Sequence, residues 1–205
     1  LTAMPPGFVM MLLALPIIWV PHHARQFVML AAIAMSAYSL TAGAGDHWIV
    51  GIMGLELVLY RADNLSLPFA IVFHIAATLN VFYGWHERKV TDHAAGLAYA
   101  GAAIAALHAG DLLTLFIWWE ATAVTSVFLI LASGTARARH AAMRYLIVQV
   151  LSGVLLLSGA AMIFADTGSL AFGAMELGSM ATWLVFIAFG FKACLLYTSD
   201  AADER

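Results

Sequence analysis

The sequence predicts an all-α polytopic membrane protein of about seven transmembrane helices, with a short extracytoplasmic β-hairpin between the second and third. Three observations carry that expectation. Hydrophobic residues make up 63% of the chain and charged residues 10%, against about 25% charged in soluble domains. The apolar residues gather in long runs, each close to the roughly 17–25 residues that a helix needs to cross the hydrocarbon core. The charges fall mostly in the connections between runs, and their sign changes from one connection to the next.

The runs lie at 5–20, 26–42, 67–85, 94–109, 111–132, 142–165 and from 181 onward. The first begins with Pro5 and Pro6, at a helix entry where missing N–H groups do no harm. It has no basic leader and no small-residue cleavage site, so it reads as a spanning helix rather than a signal peptide. After the second run, "DHWIVGIMGLELVLYRADNLSL" is too long for a turn. It is rich in β-branched and aliphatic residues and alternates partially through Leu55, Leu57 and Leu59, which predicts a strand or hairpin. Residues 4–93 thus form an amino-terminal three-helix region with the hairpin, and 94–193 a second region. In the sixth run Gln149, Ser152 and Gly153 read as helix-packing residues.

Arg25 lies in the first connection, Arg88 and Lys89 in the third, and Arg137, Arg139 and Arg144 in or beside the fifth. The even connections hold Arg61 as their basic residue, and carry Asp46, Glu56, Asp63, Asp111, Asp166 and Glu176. By the positive-inside rule the odd connections are cytoplasmic and the amino terminus is extracytoplasmic. Trp19, Trp85 and Trp183 fall near run ends, either as interfacial anchors or as lipid-facing bulk.

Composition also excludes. A net charge of -3 and a sequence pI near 6.2 leave no basic surface for nucleic acid. There is no glycine-rich phosphate loop and no metal-spaced Cys/His cluster, so no cofactor or metal is expected, and no catalytic chemistry of the chain's own. The single Cys194 rules out a disulfide framework.

Three charges are not excused by this layout: Glu120, Lys192 and, less sharply, Asp111. Glu120 lies nine residues past Asp111, about 13–14 Å into the membrane at 1.5 Å per residue. Lys192 lies eleven residues past Ala181, roughly 16 Å deep. A central Lys or Asp costs about 2.5–3.5 kcal/mol on insertion scales, and such residues pair or face an aqueous cavity. Acid and base at matching depth therefore read as partners, with Glu120 as an electrostatic handle on the charge of Lys192. At an assumed separation of ~7 Å and an effective dielectric of about 20, their attraction is roughly 2.4 kcal/mol. A purely structural pair explains them poorly, because apolar replacements of buried pairs are often neutral or stabilising. His74, His108 and Asp111 are secondary candidates for a proton relay, although a lone membrane histidine more often bonds one helix to another. His22, His23, His86, His93 and His140 belong to connections or run ends.

At these residues the chain resembles a known family. "HAGDLLTLFIWWEATAVTSVFLI", "MRYLIVQVLSGVLLLSGAAMIFADTGSL" and "FIAFGFKA" are similar to the fifth, sixth and seventh helices of the large antiporter-like subunits. Those subunits are shared by Mrp-type sodium/proton antiporters, NADH:quinone oxidoreductase and membrane-bound hydrogenases. "MPPGFVMMLLALPIIWVP" and "LELVLYRADNLSLPF" resemble the family's opening helix and extracytoplasmic hairpin.

The Mrp D-type subunit is the nearest resemblance. It implies a proton- and cation-translocating subunit of a multisubunit antiporter in a bacterial inner membrane. Other membrane subunits would be its partners, and protons with sodium or potassium its cargo. The alternative is a proton-pumping subunit of an NADH:quinone oxidoreductase or hydrogenase. Glu120 falls on the family's helix-five glutamate and Lys192 on its helix-seven lysine. The family's inverted repeats place ion sites at the midplane on discontinuous helices, and Gly190 beside Lys192 would suit such a break.

The family continues into an eighth helix and a second repeat that do not follow here. Instead "CLLYTSDAADE" resembles an in-frame translation of a transposon adapter from sequencing libraries, so 194–205 is expected to be a non-native tail, and Met4 a natural start. Two other classes fit less well. A retinal-binding seven-helix protein needs a carboxylate on the third helix, where "LPFAIVFHIAATLNVFYGW" has none. A non-conducting scaffold would tolerate loss of Glu120 and Lys192 together.

The charge pattern yields a topology test. Cysteines introduced at Arg88 and Arg137 should react with an impermeant thiol reagent from the cytoplasmic side, and one at Asp63 from outside. Labelling of Arg137→Cys and Asp63→Cys from one side would overturn the expected arrangement.

Overall fold

The computed structural model describes residues 4–52 and 54–193; the tail expected at 194–205 and the residues before Met4 lie outside the described residues. In chain order it contains α1 (Phe8–Ala14), a 3-10 turn (Pro16–Trp19), α2 (His22–Tyr38) with a 3-10 extension (Ser39–Thr41), β1 (Gly45–Ile52) and β2 (Leu55–Ala62). There follow α3 (Ser66–Tyr83), α4 (Val90–Leu107), α5 (Leu112–Leu131), α6 (Ala136–Thr167) and α7 (Met180–Lys192).

Each boundary has a local cause. The first apolar run is not one continuous helix, because Pro16 cannot continue α1 and converts the remainder to a 3-10 turn. Asp111, Thr135 and Ser179 cap α5, α6 and α7, their side chains accepting from the backbone N–H of Thr114, Ala138 and Thr182. Gly168, at φ 69°, closes α6 in the left-handed conformation. With the Thr135 cap, α6 takes in the arginine-rich stretch before the apolar run and reaches 32 residues.

Three helices among the described residues, α3, α5 and α6, are long and apolar enough to cross a membrane. Of the seven expected runs, these three meet that measure of length and composition. The helical part of α1 is 7 residues, α2 is 17 and α7 is 13, while α4 has Asp92 in its first turn.

Packing is inverted relative to a water-soluble bundle. On α3 the buried residues Ser66, Ala70, His74, Ala77 and Val81 recur every three or four positions and include small and polar side chains. The outward positions of the same helix are Phe69, Ile71, Val72, Ile75, Leu79 and Phe82. Without water to drive association, membrane helices pack through small residues and interhelical hydrogen bonds, as here. Two apolar clusters share α4. One joins Met10, Ile17, Met29, Ile33, Val81, Leu97 and Ile104; the other joins Ala105, Leu115, Trp118, Trp119, Leu156, Val185 and Ala188. The closest approach of α1 to α4 is Gly7 against Gly101, where a Cβ on Gly7 would overlap the Gly101 carbonyl oxygen.

β1 and β2 pair antiparallel in one register, from Gly45 opposite Ala62 to Ile52 opposite Leu55. The expected alternation through Leu55, Leu57 and Leu59 does not describe its burial, since β2 buries Leu57 and Tyr60. The ribbon is gripped at one point rather than along one face. Val58 N donates to Asp111 Oδ2 at 2.7 Å, Gly110 N to Val58 O at 2.9 Å, and Arg61 N to His108 O at 2.8 Å. Arg61 also pairs with Asp46 across the strands at 2.6 Å, and that hydrogen bond holds the Asp46 carboxyl below the usual carboxylate range. Ser66 N does the same to Asp63, at 2.6 Å.

Asp111 is thus the clamp between hairpin and bundle. It is 2% exposed and accepts three donors, from Val58 N, Thr114 N and Thr114 Oγ1. Asp111→Ala leaves two buried N–H groups unsatisfied and should cost about 2–4 kcal/mol. The change should appear as a lower unfolding midpoint in detergent and faster tryptic cleavage after Arg61. A wild-type midpoint would contradict the clamp.

Candidate functional site

The two charges expected inside the membrane meet at the junction of α5, α6 and α7, through Trp119. Lys192 stands in the last turn of α7, where a cation suits the negative end of the helix dipole. Its Nζ donates to Trp119 O at 3.0 Å and to Thr122 Oγ1 at 2.7 Å, and lies 4.9 Å from the centroid of the Trp119 ring. Thr122 Oγ1 in turn donates to Trp119 O at 2.7 Å. The ammonium is therefore fixed on the α5 turn that contains Glu120, by an acceptor on either side of it in sequence. Gly190 lies within α7, which continues through it to Lys192 instead of breaking there.

Trp119 serves both neighbours. Its Nε1 donates to Ser152 Oγ of α6 at 3.1 Å, and Ser152 Oγ donates to Ala188 O of α7 at 3.0 Å. Phe189 packs edge-on against the indole at 4.8 Å. One residue thus presents ring, carbonyl and N–H to three separate partners.

Glu120 is half-buried. Its Oε1 is buried without a hydrogen-bond partner among the described residues. The carboxyl lies against Gly153 of α6, where a Cβ would overlap Oε1. Arg61 and Asp46 form an ion pair within 4.0 Å; Lys192 on α7 lies within electrostatic reach of Glu120 on α5.

The remaining candidates lie elsewhere. His74 donates from Nδ1 to Ala70 O at 2.7 Å, so its Nε2 accepts from Ser36 Oγ at 2.9 Å, and that same oxygen accepts Gly7 N at 2.7 Å. His108 spends Nδ1 on Ile104 O at 2.8 Å and sets its ring edge-on to Tyr60 at 5.5 Å. With Asp111 these histidines bind α1, α2, α3, α4 and the hairpin together, and none of their hydrogen bonds reaches Glu120 or Lys192. No cluster of metal-ligating side chains occurs among the described residues.

Sequence reasoning missed Trp119 and Thr122. Their signal was present: in "WWEAT" they stand one before and two after the buried acid, on the turn that a base from another helix must approach.

Fold and site define a polytopic membrane protein with an acid and a base gathered on one helix turn inside an apolar bundle. Residues 109–198 match the family model described as NADH:quinone oxidoreductase/Mrp antiporter, TM. The N subunit of the NADH-quinone oxidoreductase of Desulfitobacterium hafniense is 27% identical over 83% of this chain and 36% of its own length. The D subunit of the Na(+)/H(+) antiporter of Alkalihalophilus pseudofirmus is 26% identical over 75% of this chain and 34% of its own. In fold, the chain matches a subunit of respiratory complex I from Thermus thermophilus with bound aureothin, at a TM-score of 0.74 and 22% identity, over 94% of this chain and 44% of that one. These likenesses are to a family of antiporter-like membrane subunits, and the family model covers the second half of the chain. The chain spans about a third of the length of these two curated relatives.

Proposed function

We propose that this chain carries part of the proton pathway of an Mrp-type cation/proton antiporter, with Lys192 as proton carrier and Glu120 as the charge that tunes it. The observation that carries the reading is the seating of the Lys192 ammonium on the α5 turn around Glu120. An ammonium has three donors, and the neutral amine left after proton release keeps two. Those two suffice for Trp119 O and Thr122 Oγ1, so the side chain can lose and regain a proton without leaving its acceptors. A carboxylate on the same turn favours the charged form. Moving it, or changing its charge, changes how readily Lys192 gives up its proton. His74, His108 and Asp111 remain secondary relay candidates on the hairpin side.

In the same reading the chain crosses a bacterial inner membrane about seven times, with the amino terminus and hairpin outside. It works within a complex of other membrane subunits, exchanging protons for sodium or potassium. Likeness to an NADH-quinone oxidoreductase subunit, and to a chain of respiratory complex I, supports a second parent, a proton-pumping quinone oxidoreductase. The local chemistry would be unchanged there.

The test uses the full-length protein in its complex, with transport per assembled complex measured in vesicles. Lys192→Ala should abolish transport with assembly largely intact. Lys192→Arg should lower it at least about tenfold, because a guanidinium with pKa above about 12 does not release its proton on demand. Glu120→Gln should weaken transport, and Glu120→Asp should retain part of it. A structural pair gives the reverse order, with Arg tolerated and abundance reduced by single neutralisations. Wild-type transport in Lys192→Arg would show that Lys192 is not the carrier.

A further inference from the structure

The Glu120 carboxyl lies against α6 rather than in a contact ion pair with Lys192, and its surroundings explain what that position offers. Its carboxyl rests on the bare Cα of Gly153, where a Cβ would overlap Oε1 and lie 2.8 Å from Cδ. Oε1 is fully enclosed there and receives no hydrogen bond among the described residues. The same face of α6 carries an acceptor, the oxygen of an amide. Gln149, one turn earlier and 4% exposed, also has a buried amide oxygen without a partner among the described residues. The hydroxyls nearest in sequence along α5 are committed to their own backbone, Thr122 to Trp119 O and Thr125 to Ala121 O. A carboxylate oxygen enclosed without a donor is disfavoured, whereas a carboxylic acid brings its own donor and loses less.

We propose that Gly153 is a positioning residue: its missing side chain forms a seat for the Glu120 carboxyl in its proton-bearing form, and the carboxylate leaves that seat toward Lys192. Glu120 then has two positions, one per protonation state. On the Gly153 seat its charge is absent, and Lys192 keeps the stabilisation that Trp119 and Thr122 provide. Off the seat, the negative charge approaches the ammonium on the same turn. Loading and unloading of the acid is thereby converted into movement of a charge beside the base. The proposal rests on Glu120 acting on Lys192, as above, but the seat itself is read by a separate signal.

That signal is the carboxyl C=O stretch in infrared difference spectra of the full-length protein in its complex, assigned to Glu120 by its loss in Glu120→Gln. The wild type should show a protonated, weakly hydrogen-bonded carboxyl at neutral pH, and Gly153→Ala should shift or remove that band. Gly153→Ala should also lower transport per assembled complex at least tenfold. Adding Glu120→Asp, whose side chain is one methylene shorter, should recover at least threefold over Gly153→Ala alone.

Gly159→Ala is the packing control. A Cβ there meets Val185 Cγ2 of α7 at 2.7 Å and does not touch the acid, so Glu120→Asp should give it no recovery. A Glu120 band that is absent in the wild type, or unmoved in Gly153→Ala, overturns the seat, as does equal recovery in the Gly159 background. If the band moves as expected while Glu120→Gln and Lys192→Arg transport normally, the seat stands and the carrier role falls.

Discussion

A positive charge placed among hydrocarbon must find acceptors, and the arrangement of α5, α6 and α7 follows from how Lys192 finds them. No carboxylate touches the ammonium among the described residues. It takes a main-chain carbonyl and a hydroxyl from α5 and the face of the indole between them. Each is a neutral group with a fixed dipole or quadrupole, and together they replace part of a hydration shell without cancelling the charge.

Small residues make that arrangement possible. α6 approaches α5 and α7 through Ser152, Gly153 and Gly159, and each close contact is backbone or a short side chain against its neighbour. The bulky apolar residues of the same helix, Met143, Ile147, Val150, Leu151 and Val154, face outward. The surface that would be a liability in water is the solvent-facing surface in lipid. This division lets the interior hold polar groups without an aqueous core around them.

How much of this the sequence made legible depends on the range of the interaction. Glu120 and Lys192 announce themselves, because a charge in an apolar run is costly wherever its partner lies. The caps at Asp111, Thr135 and Ser179 are local, each accepting from an N–H three residues on. Pro16 is local too, and reading 5–20 as one span overlooked it. Other features depend on distant segments. Asp111 reads as a stray acid until Val58, 53 residues away, is seen to donate to it. The burial of β2 follows its grip on the α4–α5 turn rather than the period of a strand. Gly153 reads as an ordinary packing glycine, since nothing in its neighbourhood indicates that a carboxyl from the preceding helix occupies its space.

The two sides of the site are held in register by consecutive residues. Ser152 accepts the Trp119 indole, whose ring and carbonyl hold Lys192, while Gly153 bears the Glu120 carboxyl. Neighbours on a helix point about 100° apart. Rotation or axial shift of α6 therefore cannot change the base side without changing the acid side. Ser152 also donates to Ala188 O of α7, so α7, which carries the lysine, is bonded to the helix that seats the acid. A proton gained or lost at either charge thus acts on the same few contacts. Because these contacts are short and close-packed, they pass on a displacement instead of absorbing it. In the proposed proton pathway, α6 is therefore the helix that bonds both sides of the site, although it contributes no charge there.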